Sequence, residues 1–391
     1  MHAFRILNVF TVDGDPFSGN PLCVFEDARG LSDAQMQSLA RQMNLSETTF
    51  VLPATNAEAD ARVRIFTPGF EMPFAGHPTL GTASVVAAAR KKDRVTLEMI
   101  AGIVPVERDA MSAGWTESTH EGDGPLPVSA GWTETRDEGD GPLPVSAGWT
   151  GNRNEGDGPL RASARESAWT LRAAKPPATR TVDASRDELS AMLGLPPGSV
   201  SDEPLWVNTG VEQLVIPLAS TELVRATKPV MALIEKHGFS ATREEAMAYV
   251  WARDDDGNAQ RTHADVESST QRTGADVESS AQRTGADVDS SAQRTGADVD
   301  SSAHVSTRDA ITVRFFFTSN GALLEDPATG SACANLGGWF IARDAKRPMT
   351  ATLSQGSAIE RPSRLGLRID ERDQIFVTGA VIELGRGTVD V

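Results

Sequence analysis

The sequence predicts a protein that mixes helices and strands and consists of two similar halves. Strand-like and helix-like segments alternate along the chain, and one strand–loop–helix pattern occurs once in each half. Two tandem repeats fall between strand-like segments, where an insertion disturbs a fold least. With 391 residues the chain also exceeds one ordinary domain, so we expect two domains.

In the first half, strand and helix preferences follow one another in turn. The β-branched and aromatic residues of Phe4–Val12 and Thr48–Leu52 predict strands. The stretch Thr96–Val106 has the same character and is predicted as one strand. The apolar spacing of Asp33–Met43 and Pro78–Arg90 predicts helices.

The second half shows the same alternation. Arg186–Leu193 and Thr221–Glu235 have helical spacing, and the strand-like segment Gln213–Pro217 separates them. Two further strands and a last long helix are predicted at Met247–Ala252, Ile311–Phe317 and Ser331–Arg343.

Two tandem repeats, with periods of 17 and 11 residues, interrupt the chain. Their copies begin at Ser112, Ser129 and Ser146, and at Ala264, Ala275, Ala286 and Ala297. Segments this polar cannot bury enough surface to offset their ordering entropy, so we expect loop insertions at about 111–166 and 258–306. Calcium binding by the repeated Gly-Asp-Gly, or a partner-binding role, remains an alternative.

Composition and charge restrict the partners that the protein can bind. The formal net charge is -17 and the pI about 4.8, so the surface repels phosphate backbones, and we expect neither nucleic acid nor membrane as a partner. The first ten residues lack the features of a signal peptide, and the sequence has no long apolar run and only two cysteines, so we expect a cytoplasmic protein. Six scattered histidines predict no metal site.

One local pattern occurs in both halves. A strand-like run precedes Glu71-Met-Pro-Phe-Ala-Gly-His77, and another precedes Glu325-Asp-Pro-Ala-Thr-Gly-Ser331; a predicted helix follows each loop. The alignment places Met72 opposite Asp326, and His77 opposite Ser331. A matched pair of loops indicates a pseudo-twofold relation between the halves.

The glycine before each of these helices indicates an anion site. Gly76 and Gly330 precede helix starts, where free backbone N–H groups bind anions, and two such ends facing each other would hold a carboxylate without metal. We expect Pro78 at the first helical position and Ser331 as an N-cap. The alternative is that both loops merely start helices. No nucleotide cofactor is predicted, because Thr82 stands where a phosphate loop requires Lys.

Four motifs together resemble the phenazine-biosynthesis PhzF-like proteins. They are Asn20-Pro-Leu-Cys-Val-Phe, Asn44-Leu-Ser-Glu-Thr-Thr-Phe, Phe74-Ala-Gly-His-Pro-Thr-Leu-Gly and Glu325-Asp-Pro-Ala-Thr-Gly-Ser-Ala. The resemblance implies an α+β fold of two pseudo-symmetric diaminopimelate-epimerase-like domains, each a curved sheet wrapped around a central helix. We therefore expect one domain at residues 1–175, with the C-terminal segment at about 376–391, and the other at 176–375.

The same resemblance implies a cleft active site in a homodimer, no cofactor, and a small carboxylated metabolite as substrate. The best-characterised member isomerises trans-2,3-dihydro-3-hydroxyanthranilate. The motifs assign the acid/base role to Glu47, further catalytic roles to His77 and Asp326, and substrate binding to four more residues. These four are Asn20, Gly76, Gly330 and Ser331.

Three other interpretations of the sequence remain open. A racemase of the same fold would use two cysteine thiols, but the loop ends hold His77 and Ser331, and we expect Cys23 and Cys333 to be buried. A non-catalytic protein that binds a ligand or a partner is the second. The third is isomerisation of a different amino or hydroxy acid, because substrate identity depends on residues outside the motifs.

Overall fold

The computed structural model describes residues 1–109, 166–254, 309–319 and 321–391. Both tandem repeats, and the loop structure predicted for them, lie outside the described residues. Within that part of the chain, helices and strands mix around barrel-like sheets, and the predicted mixed class is confirmed. None of the helices described is long and apolar enough to cross a membrane.

The first half contains eight strands and two helices before residue 173. They are β1 (His2–Val9), β2 (Asn20–Phe25), α1 (Asp33–Met43), β3 (Glu47–Leu52), β4 (Ala61–Phe66), β5 (Glu71–Met72), α2 (Gly76–Arg90), β6 (Arg94–Met99), β7 (Gly102–Arg108) and β8 (Ser167–Arg172).

The second half contains the remaining ten strands and four α-helices of the described chain. They are β9 (Ala178–Thr181), α3 (Arg186–Met192), β10 (Leu205–Asn208), β11 (Glu212–Pro217), α4 (Thr221–Ala226), α5 (Met231–His237), β12 (Phe239–Ser240), β13 (Glu245–Arg253), β14 (Asp309–Ser319), β15 (Ala322–Asp326), α6 (Gly330–Ala342), β16 (Met349–Gln355), β17 (Ser363–Ile369) and β18 (Ile375–Val389).

Strand pairing closes the first half into a barrel around α2. The order β1–β2–β3–β4–β6–β7–β8–β18 returns to β1, and every neighbouring pair is hydrogen bonded. The helix is buried on nearly all sides. Its Gly81 lies so close to the wall that a Cβ there would be 2.5 Å from Leu22 Cδ2. A small residue at this position therefore lets the helix sit inside the barrel.

The second half repeats this pairing scheme around α6. In the first half β2–β3 is parallel, β3–β4 antiparallel, β4–β6 parallel and β6–β7 antiparallel. The pairs β11–β13, β13–β14, β14–β16 and β16–β17 follow the same alternation. The two loops singled out in the sequence, β4–β5–α2 and β14–β15–α6, thus occupy equivalent places.

The long strand β18 belongs to both halves. It pairs with β17 near its start, with β8 over Phe376–Val381, and with β1 through Val389. The helices α2 and α6 both pack against it. The halves therefore share one continuous strand as well as the surface on which their central helices meet.

Several predicted elements need correction. The predicted helix Thr221–Glu235 is two helices, α4 and α5, because Pro229 between them has no N–H to donate. The predicted strand Thr96–Val106 is a hairpin that turns before Gly102, whose φ of +132° suits glycine. The start of the second long helix was also misplaced: Thr329 is the N-cap of α6 and Ser331 lies inside the helix.

The predicted start of α2 was wrong in the same way. The helix begins at Gly76 with Ala75 as N-cap, so Pro78 is its third residue rather than its first. By contrast, α1 spans the predicted Asp33–Met43, and Ser32 caps it through a reciprocal pair of bonds with Gln35. Boundaries were predicted well where a side chain caps the helix, and poorly where backbone alone sets the start.

Candidate active site

The N-termini of α2 and α6 meet at their glycines. A Cβ on Gly76 would lie 2.7 Å from Gly330 Cα, and a Cβ on Gly330 would lie 3.1 Å from Gly76 Cα. Neither N-cap, Ala75 or Thr329, makes a side-chain hydrogen bond to its helix. The first N–H groups of both helices therefore remain uncapped by side chains beside one cavity, as an anion site requires.

An arginine–glutamate pair precedes each helix start and joins the two strands that lead into it. Arg64 on β4 donates to Glu71 through Nε at 2.7 Å and Nη2 at 2.6 Å. Arg314 on β14 donates to Glu325 through Nε at 2.9 Å and Nη2 at 2.7 Å. Such two-point bonds fix orientation as well as distance. The acidic residue that the two loops share is thus a structural clamp.

A cavity of about 370 Å³ opens onto the paired helix starts. This volume is near the lower end of the roughly 300–1,000 Å³ common for small-molecule sites. Residues 44–47, 67–70 and 75–77 line it from the first half, and 324–326 and 329–331 line it from the second. The cavity thus contains six of the seven predicted site residues, namely Glu47, His77, Asp326, Gly76, Gly330 and Ser331.

Asn20, the seventh, lies behind the cavity wall rather than in it. It is fully buried and donates from Nδ2 to Asp326 Oδ1 and to the Ala328 carbonyl, both at 2.9 Å. In this structure Asn20 therefore holds Asp326 from behind the cavity wall, and its predicted contact with substrate stays a prediction.

Glu47 is the carboxylate best placed for proton transfer. It stands at the first position of β3, with 15% of its side chain exposed to the cavity. Burial raises the pKa of Glu47 well above its usual value, and the nearby Asp326 carboxylate raises it further. One of its oxygens, Oε2, is buried without a hydrogen-bond partner in the described chain. The group is therefore able to hold a proton and is free to deliver it.

His77 lies beside Glu47 in the cavity wall. Its Nε2 lies 3.4 Å from Glu47 Oε2, without the geometry of a hydrogen bond. Burial lowers the pKa of His77 to about 3, and a bond to the Pro21 carbonyl opposes this only in part. The imidazole is thus neutral near pH 7. Because Nε2 has no partner, it is Nδ1–H that donates a hydrogen bond to the Pro21 carbonyl, which leaves Nε2 as the unprotonated acceptor facing Glu47.

Asp326 is the second carboxyl group with a raised pKa. Burial raises the pKa of Asp326 to about 7, against the lowering effect of hydrogen bonds from Thr329 and Asn20. Thr329 is itself fixed by Gln355, which also donates to the Asp326 carbonyl at 2.9 Å. Near neutral pH the Asp326 carboxyl can therefore either give or take a proton.

Ser331 begins a chain of buried polar groups that the motifs did not identify. Gln213 donates from Nε2 to Ser331 Oγ at 3.1 Å, and Asn335 donates to Gln213 Oε1 at 2.7 Å. Thr209 then donates to Asn335 Oδ1 at 2.7 Å. Satisfied networks of this kind hold a side chain in one orientation. A glutamine inside the apolar run Gln213–Pro217 was the one signal in the sequence for this network.

Two charged residues of the cavity wall were also missed. Arg243 and Glu245 line the cavity and form an ion pair at 2.6 Å. They belong to a turn that β13 brings beside the helix starts, and no local pattern in the sequence marks that turn.

The two cysteines do not lie at the cavity. Cys23 and Cys333 are both buried free thiols, as predicted. Burial raises the pKa of Cys23 to about 12 and raises that of Cys333 as well. A thiolate is the reactive form, so these positions do not suit a two-thiol racemase. In the described chain no group of three or more His, Cys, Asp or Glu side chains could hold a metal ion.

The family of this chain and the names of its relatives identify it as an enzyme of the isomerase class. The chain belongs to the family of phenazine biosynthesis-like proteins, because the model of that family matches residues 7–130 and 266–384. The resemblance predicted from the four motifs is thereby confirmed.

Individual relatives agree with this assignment. An uncharacterized isomerase of Pasteurella multocida is 29% identical over 100% of this chain and 94% of its own length. A trans-2,3-dihydro-3-hydroxyanthranilate isomerase of Pseudomonas aeruginosa is 50% identical, over 27% of this chain and 37% of that protein. That match spans well under half of the relative.

A solved structure supports the fold. The Bacillus anthracis phenazine biosynthesis protein of the PhzF family superposes with a TM-score of 0.63 at 19% sequence identity, covering 100% of this chain and 99% of that chain. At this level of identity the likeness concerns the fold alone.

Proposed function

We propose that the protein is a cofactor-independent isomerase that moves a proton on a small carboxylated metabolite. Its substrate is trans-2,3-dihydro-3-hydroxyanthranilate or a related amino or hydroxy acid. The observation that carries this proposal is the presence, in one cavity, of an anion site and of a carboxyl group whose pKa is raised by burial. The same arrangement argues against a purely structural or partner-binding protein, because such a protein needs neither an anion site nor a carboxyl group with a raised pKa.

The substrate carboxylate would lie against the N–H groups at Gly76 and Gly330. Each helix dipole contributes about 0.3–1 kcal/mol to such binding when exposed and up to about 2 kcal/mol when partly buried. Because the two helix starts face one site, a carboxylate placed there is held in one orientation. The carbon next to it then lies toward the carboxyl groups of the cavity.

In the reaction, ionised Glu47 takes a proton from a carbon next to the carboxyl group or the π system of the substrate. The electron pair of the broken C–H bond passes into that system, and Glu47 returns the proton at another carbon. His77, which is neutral, and Asp326, which has a pKa of about 7, orient the hydroxyl and amino groups of the substrate or pass the proton on. The net change is a moved hydrogen, so no redox partner is needed.

Replacing Glu47 tests this proposal directly. Positioned acid/base catalysis contributes about 10²–10⁴-fold to a rate, so Glu47→Gln should lose at least that much activity. The measurement is solvent-deuterium incorporation by mass spectrometry, with trans-2,3-dihydro-3-hydroxyanthranilate and a panel of amino and hydroxy acids. Glu360→Gln, on a turn outside the cavity, is the matched control and should keep wild-type activity.

Activity of Glu47→Gln within threefold of wild type would remove Glu47 from the reaction. A folded wild-type protein that binds members of the panel without isomerisation or exchange would favour the non-catalytic interpretation instead.

A further inference from the structure

The Arg243–Glu245 pair is a part of the cavity that the proposed reaction leaves without a role. Both side chains are mostly buried, with 17% and 13% of their surfaces exposed. Within the described chain, Arg243 is the one lysine or arginine that lines this cavity. Glu325, another acidic residue of the wall, is already paired with Arg314.

The turn that carries Arg243 is anchored on both sides. It runs from β12 to β13, and its backbone closes through bonds from Arg243 N and Glu244 N to the Ser240 carbonyl. Glu244 adopts φ +56°, an uncommon conformation for this residue type. Ser240 Oγ donates to Glu212 Oε2 at 2.6 Å, which ties the turn to the start of β11. Arg243 is therefore presented from a fixed backbone.

The guanidinium of Arg243 has N–H donors that are not used within the described chain. Its Nη2 donates to Glu245 at 2.6 Å, and within the described chain its side chain has no other hydrogen-bond partner. A guanidinium carries five N–H donors in a planar fork, which suits oxygen acceptors. The bond to Glu245 uses one of these donors and leaves the others available to the cavity.

Arg243 and Glu245 also lie close to the proton-transfer group. Their charges act on the pKa of Glu47 in opposite directions, Arg243 lowering it and Glu245 raising it. Gln213, on the strand to which the turn is tied, lies in the same wall of the cavity. A ligand held at the helix starts would thus have the pair within the same enclosed space.

We propose that Arg243 is a specificity-determining residue that binds a second oxygen-bearing group of the substrate, a hydroxyl or a carboxylate. This inference rests on the proposed function, in which the first carboxylate occupies the helix starts. The substrate class is then an acid that carries an oxygen substituent in addition to its carboxylate, and Glu245 positions the arginine that recognises it.

Three matched ligands test the role of Arg243. L-norvaline, L-5-hydroxynorvaline and L-glutamate share one carbon skeleton and differ only at C5, which is a methyl, a hydroxymethyl or a carboxylate. Binding to the full-length chain is measured by titration calorimetry. A hydrogen bond to a charged group is worth about 1.5–3 kcal/mol, so Arg243→Met should weaken binding of the oxygen-bearing ligands about ten- to hundredfold. Norvaline should change less than about twofold.

The binding measurements distinguish a carboxylate from a hydroxyl as the group that Arg243 recognises. If a carboxylate is recognised, glutamate suffers the largest loss on Arg243→Met; if a hydroxyl is recognised, hydroxynorvaline does. Arg243→Lys keeps the charge but not the fork, and should recover only part of the affinity. Glu245→Gln keeps an oxygen that can accept the hydrogen bond of Arg243 and so still positions it, but removes a negative charge beside it; if a carboxylate is recognised, the variant should improve the binding of glutamate relative to norvaline.

Matched controls exclude a general effect on the fold. Arg343→Met removes an arginine from an exposed ion pair with Asp202, away from the cavity, and should leave all three affinities unchanged. Thermal unfolding of each variant checks that it is folded. If Arg243→Met does not fold, Glu245→Gln and Arg243→Lys carry the test.

Equal losses for all three ligands, or none, would overturn the inference. So would a wild-type protein that binds neither oxygen-bearing ligand more tightly than norvaline. These results differ from a failure of the proposed function. Glu47-dependent exchange that is insensitive to Arg243 refutes only the inference, whereas Arg243-dependent binding without any exchange refutes only the isomerase reaction.

Discussion

At the scale of single residues, burial shifts the pKa values of the ionisable side chains in the cavity. Glu47 and Asp326 lie in one cavity and both have raised pKa values, chiefly because burial disfavours their charged forms; a neighbouring carboxylate adds to this, Asp326 for Glu47 and Glu325 for Asp326. His77 is kept neutral by the same burial. The sequence identified these residues through motifs, but it gave no account of their protonation, since that depends on neighbours contributed by distant segments.

The low pKa of His77 predicts a pH dependence of stability. An unfolded histidine has a pKa of about 6.5, whereas folding lowers that of His77 to about 3. Between these values the unfolded chain binds more protons, so stability that is present above pH 6.5 is lost as the pH falls toward 3. The loss attributable to His77 should reach about 2 kcal/mol at pH 5.

Urea denaturation at pH 5 and pH 8 measures this effect. The raised pKa values of Glu47 and Asp326 act in the opposite direction, so the signed change in the free energy of unfolding from pH 8 to pH 5 is compared. In His77→Gln this change should be about 2 kcal/mol more favourable to the folded state than in wild type, whatever the absolute stability of the variant. His237→Gln, on α5, is the matched control and should retain the wild-type difference. Equal differences in wild type and His77→Gln would show that this imidazole is not kept neutral by folding.

At the scale of elements, two helices that start at glycine meet at the place where we propose that the substrate carboxylate binds. The contact between the two helix starts was predicted correctly from the Glu-x-Pro-x-x-Gly pattern that both loops contain. In the structure, Arg64 and Arg314 bind the glutamates of the two loops in the same way. The sequence did not predict Arg243, because its place in the wall depends on the parallel pairing of β11 with β13. Long-range pairing of this kind has no local signature.

Close contact between the helix starts predicts that Gly76→Ala is damaging. The new Cβ would lie 2.7 Å from backbone atoms of Gly330, which cannot move aside as a flexible side chain would. Overpacking of this type typically costs about 1–3 kcal/mol, and it should also separate the N–H groups that hold the carboxylate. Both thermal stability and substrate binding should therefore fall.

Gly385→Ala is the matched control for this substitution. A Cβ on Gly385 meets no atom within 4 Å, and its backbone does not require glycine, so stability and binding should stay near wild type. The two variants are compared by thermal unfolding and by the rate of solvent-deuterium exchange. If Gly76→Ala were as stable and active as Gly385→Ala, the contact between the two helix starts would not be needed for the site.

At the scale of the whole molecule, β18 and the two central helices join the halves into one site. Each half contributes a barrel-like sheet, a helix start and a clamped loop, so neither half alone forms the cavity. The two carboxyl groups to which we assign the proton transfer come from opposite halves, Glu47 from β3 and Asp326 from β15. The pseudo-twofold relation could be predicted from the repeated loop. The sharing of β18 could not, because the residues of a strand do not indicate which other strands it pairs with.

The last prediction concerns the two tandem repeats. Each one joins antiparallel neighbours whose ends are already hydrogen bonded: Asp109 N donates to the Ala168 carbonyl at 2.9 Å, and Asp254 N donates to the Ala310 carbonyl at 2.9 Å. Replacing residues 110–165 and 255–308 with Asn-Gly links should therefore preserve the strands on either side. If the repeats are loop insertions as predicted, shortening each connection to two residues should raise the free energy of unfolding by up to about 3 kcal/mol each.

Activity provides the second measurement on this variant. Because the cavity described is lined by residues outside both repeats, solvent-deuterium exchange should stay within about threefold of wild type, well short of the 10²-fold loss that removal of an acid/base group causes. Excising one repeat at a time serves as the control, since additive effects indicate two independent insertions. A folded double variant that has lost exchange would instead place part of the function in the repeats, and the view of them as loop insertions would be wrong.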